Sequence, residues 1–196
     1  MKKAFISSVV KMLLLCIALA TCSNAFAYSY AAAGKEPLID GREAILQALD
    51  AEDYQAVQDA VDGLEEEFAY LKSDHDVDLL TPMNNAIAQK DALQVESIID
   101  SAVVEEIVRR LDGASKNLGD YQVAKVLVVK SKLFLDLILP KLDDVNRQQA
   151  NESIVAVLES IGNPGVFGVG QTPADPERFE AERAKLMASV QGLKFH

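Results

Sequence analysis

The sequence predicts an all-α protein, a bundle of four long and about three short helices. Apolar residues recur at spacings of three and four along most of the chain, and no stretch alternates convincingly as a strand. Aspartate or a Thr-Pro pair precedes most of these segments, as expected at helix starts. Glycine and proline cluster between the segments. The 196 residues are enough for one core, and a single helical domain is expected over residues 28–196.

The first 27 residues have the features of a secretory signal peptide. A positive flank is supplied by Lys2, Lys3 and Lys11. The apolar run Met12–Ala20 is too short to span a bilayer, and Ala25-Phe26-Ala27 fits a cleavage site. We therefore expect export to the periplasm or secretion. In the competing interpretation the chain is a lipoprotein anchored at Cys22, but Thr21 fits that motif poorly.

Removal of this segment makes an acidic chain more acidic. Basic residues fall from 19 to 19 − 3 = 16 against 30 acidic ones, so the net charge goes from −11 to 16 − 30 = −14. Both cysteines, Cys16 and Cys22, are lost as well. This charge argues against nucleic acid and anionic lipid as partners, and favours a protein partner with a basic surface.

The segment 53–71 is the most regular amphipathic stretch. Its apolar residues form one continuous seam, namely Tyr54, Val57, Val61, Leu64, Phe68 and Leu71. A short helix over 41–49, capped by Asp40, is expected before it.

A second short helix and a second long helix follow, from Thr81-Pro82 to about Lys90 and over 91–111. At an offset of 38 residues the two pairs align, with four of 18 positions identical. Two stacked helical hairpins would explain this alignment, and so would chance helical periodicity; the sequence leaves both open.

The segment 120–142 is the most apolar part of the predicted domain. Between residues 123 and 139 it is apolar at 12 of 17 positions, and only Lys125, Lys132 and Asp136 form a water-facing stripe. Its charges argue against a membrane span. The pattern predicts the central helix of the bundle, ended or kinked by Pro140.

Lys130 is the exception on the apolar face of that helix. One interpretation is a lysine that lies along apolar surface and lifts its ammonium to water. The other is a buried ion pair, with Glu106 as the partner because it continues the apolar stripe of a neighbouring helix.

Two further helices are expected, over 144–161 and 176–190, joined by the glycine-rich linker 162–175. The linker carries three apolar residues, Val166, Phe167 and Val169. In one interpretation Phe167 folds back onto the bundle. In the other the loop is a docking site and Phe167 anchors a partner.

The best metal-like cluster is Asp74, His75, Asp76 and Asp78. It resembles the opening of a calcium loop, but Leu79 and Asn85 replace the glycine and glutamate that such a loop requires. His75 would suit iron or another transition metal. A solvated acidic turn is the simpler interpretation.

Signatures of catalysis are missing: the sequence has no nucleophile elbow, no His-Glu-x-x-His and only one internal histidine. The sequence therefore predicts an exported, non-enzymatic binding or adaptor protein without a cofactor. It would act through acidic helix faces and the linker loop. The alternative is a periplasmic accessory protein that binds a divalent metal ion.

Overall fold

The structure, a computed structural model, describes residues 36–165 and 169–195. Eight α-helices and two short 3-10 helices form most of these residues. The α-helices are α1 Pro37–Asp50, α2 Tyr54–Asp62, α3 Glu65–His75, α4 Leu80–Gln89, α5 Ala92–Lys116, α6 Tyr121–Ile138, α7 Asp144–Ser160 and α8 Pro176–Val190. The 3-10 helices are Leu139–Lys141 and Gln191–Leu193. The predicted all-α fold is confirmed. The predicted signal peptide and its cleavage site lie outside the described residues.

Aspartate side chains begin five of the helices. In each case the carboxylate accepts a hydrogen bond from a backbone N–H of the first turn, a group that has no partner within the helix. The five capping residues are Asp53, Asp91, Asp120, Asp143 and Asp175. The helix α8 begins at Pro176, directly after its cap, as the sequence predicts.

The predicted helix over 53–71 is two helices. The chain leaves the helical path at Gly63 and Leu64, so α2 ends at Asp62 and α3 begins at Glu65. The apolar seam nevertheless stays buried on both sides of the break, with Leu64 only 2% exposed. The spacing of the apolar residues therefore predicted the buried face correctly, but the prediction of one continuous helix was wrong.

The turn before α2 and the turn before α5, which lie 38 residues apart in the chain, have the same backbone geometry. Glu52 and Lys90 both have positive φ, at 54° and 56°. The next residues, Asp53 and Asp91, both donate their N–H to an alanine carbonyl at 2.9 Å and then cap a helix. The helices after the turns differ, since α5 runs unbroken for 25 residues. The predicted pair of repeated hairpins is not confirmed.

The central helix is α5, so the prediction that 120–142 is central was wrong. Helices α1, α3, α4, α6 and α8 all contact α5, whereas α6 packs mainly on α5 and more lightly on α7. Fourteen of the 25 residues of α5 are buried, against seven of 18 in α6. Among the described residues, no helix is long and apolar enough to cross a membrane.

Candidate functional site

The acidic turn between α3 and α4 is built from backbone and carboxylate contacts. Asp76 adopts the left-handed conformation, φ 57°, and its N–H donates to the Lys72 carbonyl at 3.1 Å, which closes the end of α3. Aspartate tolerates this conformation better than most residues. Asp74 accepts a hydrogen bond from the Ser73 hydroxyl at 3.1 Å.

Asp78 is held by both helices that flank the turn. Its carboxylate pairs with the Lys72 ammonium at 3.0 Å. It also accepts hydrogen bonds from the backbone N–H of Thr81 at 3.2 Å and from the Thr81 hydroxyl at 3.0 Å. The Lys72 hydrogen bond, followed by those from Thr81, lowers the pKa of Asp78 below its ordinary value. Asp78 is therefore a carboxylate that joins the end of α3 to the start of α4.

A groove of about 400 Å³ lies beside this turn. Apolar groups contribute part of its lining, namely Phe68, Ala69 and Leu80. Polar and charged groups contribute the rest, namely Glu65, Glu66, Lys72, Asp78 and Thr81. Three carboxylates and one ammonium leave the lining with a net negative charge. The groove has the volume of a small binding site and is open to solvent, so it can take a flexible segment with apolar and cationic parts.

The four predicted metal ligands are close in sequence, but two of their carboxylates, those of Asp74 and Asp78, already bind groups of this chain. The Asp78 carboxylate binds Lys72 and Thr81, and Asp74 accepts from Ser73. In the part of the chain that the structure describes, no group of three or more His, Cys, Asp or Glu side chains is arranged to hold a metal ion. Metal binding by Asp74, His75, Asp76 and Asp78 stays a prediction of the sequence.

The linker loop has a fixed base. Asn163 and Thr172 exchange two backbone hydrogen bonds of 2.8 Å, and the Asp175 N–H donates to the Ser160 carbonyl at 2.8 Å. A Cβ at Gly162, which has φ 83°, would lie 2.6 Å from the Thr172 carbonyl oxygen, so this position requires glycine. Val169 is 78% exposed. The other two predicted docking residues, Val166 and Phe167, lie outside the described residues.

Glu106 is buried, as the ion-pair prediction required, at 7% exposure. Its carboxylate pairs with two arginines of its own helix, Arg109 and Arg110, each at 2.7 Å. The Arg110 guanidinium also lies over the ring of Phe134 in α6, 4.9 Å from its centroid. Lys130 is half-buried on α6. The specific pairing of Lys130 with Glu106 stays a prediction.

Sequence reasoning missed the main charged network of the interior. Asp100 on α5 is 3% exposed. Its Oδ1 accepts from Nε and Nη2 of Arg42 at 3.0 and 2.8 Å, and its Oδ2 pairs with the Lys141 ammonium at 2.5 Å. Lys141 also pairs with Glu96. The sequence did contain one indication of this network. Asp100 is a single acidic residue between the apolar residues 98–99 and 102–104 of one predicted helix.

The network keeps Lys141 charged. Burial lowers the pKa of the Lys141 ammonium, but hydrogen bonds to Asp100 and Glu96 outweigh this effect, and the pKa lies above its ordinary value. The network joins α1, α5 and the 3-10 helix after α6. Its groups are mutually paired, so its evident role is to hold these elements together.

Glu105 also lies inside the bundle, at 4% exposure. It pairs with Lys194 at 2.7 Å, and the neighbouring Phe195 N–H donates to the Ser101 hydroxyl at 3.1 Å. These contacts fix the C-terminal segment on α5.

Comparison of the chain with protein-family models, curated proteins and solved structures gave no match. The function is therefore argued from the surfaces and side chains described above.

Proposed function

We propose that this protein is an exported helical binding or adaptor protein that recognises a basic segment of a protein partner, without catalysis. The observation that carries the proposal is the groove between α3 and α4, where apolar side chains lie beside carboxylates. A lysine or arginine side chain has a matching structure, an aliphatic stem with a cationic end.

The charge of the whole chain supports the same class of partner. With 30 acidic and 19 basic residues, the protein attracts cationic segments over distances of about 8–10 Å at moderate ionic strength. Glu65, Glu66 and Glu67 lie in the first turn of α3, where the helix dipole favours carboxylates. These charges speed association and orient the partner, and the apolar side chains of the groove add contact area.

The linker loop is the second contact in this proposal. Its base is fixed by the Asn163–Thr172 pair, and the exposed Val169 gives an apolar contact. A loop held at its base loses less conformational freedom on binding than an open one. Export rests on residues 1–27 of the sequence alone.

A titration with a fluorescent peptide tests the groove. The probe is a synthetic peptide that alternates lysine with leucine, and its anisotropy is followed as protein is added. Glu65→Gln/Glu66→Gln should weaken binding about tenfold, because two carboxylates of the groove are lost. The control is Glu152→Gln/Glu177→Gln, which removes the same charge from exposed positions on α7 and α8.

Equal weakening in both double variants would show that only the net charge attracts the peptide, and would count against the groove. Binding of an acidic peptide with equal strength would count against a basic partner.

Divalent-metal binding is the second candidate, because Asp74, His75 and Asp76 lie at the surface beside the groove, exposed or half-exposed. Calorimetric titration with iron(II) and zinc should then show one site, and His75→Ala should abolish it. Heat of binding that is unchanged in His75→Ala would exclude this site.

A further inference from the structure

The outer face of α6 carries an apolar stripe that the other described helices cover only in part. The stripe consists of Val126, Val129, Leu133 and Leu137, at helical spacings of three, four and four. Val129 is 42% and Leu133 48% exposed, and the other two are half-buried. We call these four residues the α6 outer stripe. They resemble the contact seam of a helix that packs on another helix.

One edge of the stripe carries charges of both signs. Lys125, Lys132 and Asp136 lie on the same edge, because they are separated by seven and four residues. Lys125 and Asp136 are 11 residues apart, about 16 Å along the helix at 1.5 Å per residue. Lys132 and Asp136 form an ion pair within the chain. The opposite edge carries Lys130.

We propose that two copies of this chain associate through the α6 outer stripe, with their α6 helices antiparallel about a two-fold axis near residue 131. In this arrangement Val129 of one copy meets Leu133 of the other, and Val126 meets Leu137. The two-fold axis makes each of these contacts twice, so the same stripe serves as both halves of the interface.

The charges favour this orientation over the parallel one. In an antiparallel pair the same edges of the two helices face each other, so Lys125 of one copy lies opposite Asp136 of the other, and the two-fold axis makes this contact twice. The two Lys130 side chains face each other once, near the axis. In a parallel pair opposite edges meet, and Lys125 and Lys132 would face Lys130 of the second copy. Opposite charges at such flanking positions select partner and orientation, and like charges oppose association.

A second copy also fits better than an anionic membrane surface. The lysines beside the stripe would attract anionic lipid, but the chain as a whole carries a net charge of −11. The antiparallel pair brings Lys125 and Asp136 of the two copies together without a basic or acidic partner of another kind.

Sedimentation equilibrium of the purified protein over a wide concentration range tests the proposal. A monomer–dimer equilibrium is expected. Leu133→Glu should weaken the dimer about tenfold or more, because it places a charge in the centre of the apolar contact. Val155→Glu is the matched control: Val155 is 53% exposed on α7, outside the stripe, and this variant should dimerise like the parent protein. Circular dichroism should show that both variants keep the helical fold.

Charge reversal tests the orientation. Lys125→Glu and Asp136→Lys should each weaken the dimer, and the double variant should recover most of the loss, because each new charge meets its opposite across the axis. A monomer at every concentration would overturn the proposal, as would a dimer unaffected by Leu133→Glu. Dimerisation without rescue in the double variant would overturn the antiparallel orientation. Binding to phosphatidylglycerol vesicles that is lost in Leu133→Glu, without dimerisation, would assign the stripe to a membrane surface instead.

Discussion

The two helices of the α5–α6 hairpin differ in a way that their sequences do not suggest. The helix α5 carries the acids Asp100, Glu105 and Glu106, yet it is the most enclosed helix of the bundle. The helix α6 is apolar nearly all round, yet Val129 and Leu133 are exposed. Other helices pack against α5 on several sides, whereas they pack against α6 on fewer sides. Burial is thus decided by the number of neighbours, and apolar content alone does not predict it.

Two of the buried acids of α5 each hold a different part of the chain. Asp100 binds α1 and the 3-10 helix after α6 through Arg42 and Lys141. Glu105 binds the C-terminal segment through Lys194. A buried ion pair adds little net stability relative to a well-packed apolar pair, but breaking one leaves a charge without compensation. These pairs therefore specify which elements pack on α5.

The largest expected effect is the loss of the Asp100 carboxylate. Asp100→Leu leaves the Arg42 guanidinium, 8% exposed, without its partner and should reduce the free energy of unfolding by about 3–5 kcal/mol. The measurement is the urea midpoint with its slope. Arg42→Met/Asp100→Leu should recover most of this loss, because no buried charge is then left unpaired. Asp144→Asn, in an exposed pair with Arg147, should cost less than about 1 kcal/mol. A loss in Asp100→Leu as small as this control would show that the buried network is unimportant.

The two faces of α6 can be compared with one kind of substitution. Leu135 is fully buried and Leu133 is 48% exposed, two positions away. Leu135→Ala should cost about 3 kcal/mol, because it leaves a cavity against α5. Leu133→Ala should cost less than about 1 kcal/mol in dilute protein, since its side chain keeps much of its contact with water in the folded state. Urea unfolding of both variants gives the comparison, and equal losses would contradict the exposed outer face.

A smaller effect is expected at the C-terminal segment, and it should be asymmetric. Lys194→Ala leaves the Glu105 carboxylate buried without a partner and should cost about 2 kcal/mol. Glu105→Gln should cost less, because the Lys194 side chain, already 31% exposed, can turn to water. Thermal unfolding and amide exchange at Phe195 report both changes. A greater loss in Glu105→Gln would contradict this explanation.

The smallest effect is a pH dependence at high pH. The pKa of Lys141 is raised in the folded protein, so its ion pairs stabilise the fold fully below the unfolded-state pKa of about 10.4. This contribution is lost as the pH rises through the higher folded-state pKa. Lys141→Met should therefore lower Tm at neutral pH, and the difference from the parent protein should narrow at strongly alkaline pH. A difference that stays constant across this range would exclude the Lys141 charge as its cause.

The sequence predicted helix starts more reliably than helix neighbours. The capping signal at Asp175-Pro176 placed α8 correctly, because a cap depends only on residues within one turn. The cap predicted at Asp40 was wrong, because α1 begins at Pro37 and Asp40 lies within its first turn. The break at Gly63 was missed, since the apolar seam continues across it. The groove beside the acidic turn could not be predicted, because it depends on how α3 and α4 approach each other. The contacts of Asp78 with Thr81 and Lys72 are local, but they were missed because the Thr81-Pro82 pair indicated the start of the helix, which begins at Leu80.

The sequence by itself determined the all-α fold, most of the capping aspartates and the inward faces of most helices, because these follow from periodicity and local hydrogen bonding. Only the tertiary structure decided that α5 is central and that Asp100 and Arg42 meet across 58 residues. It also decided that Val129 and Leu133 on one apolar face of α6 stay exposed. The physical reason is that an amphipathic pattern indicates which side of a helix faces away from water. How much of the helix is buried depends on which other helices pack against it. The packing of these helices depends on contacts between residues far apart in the chain, such as Arg42 with Asp100 and Lys194 with Glu105.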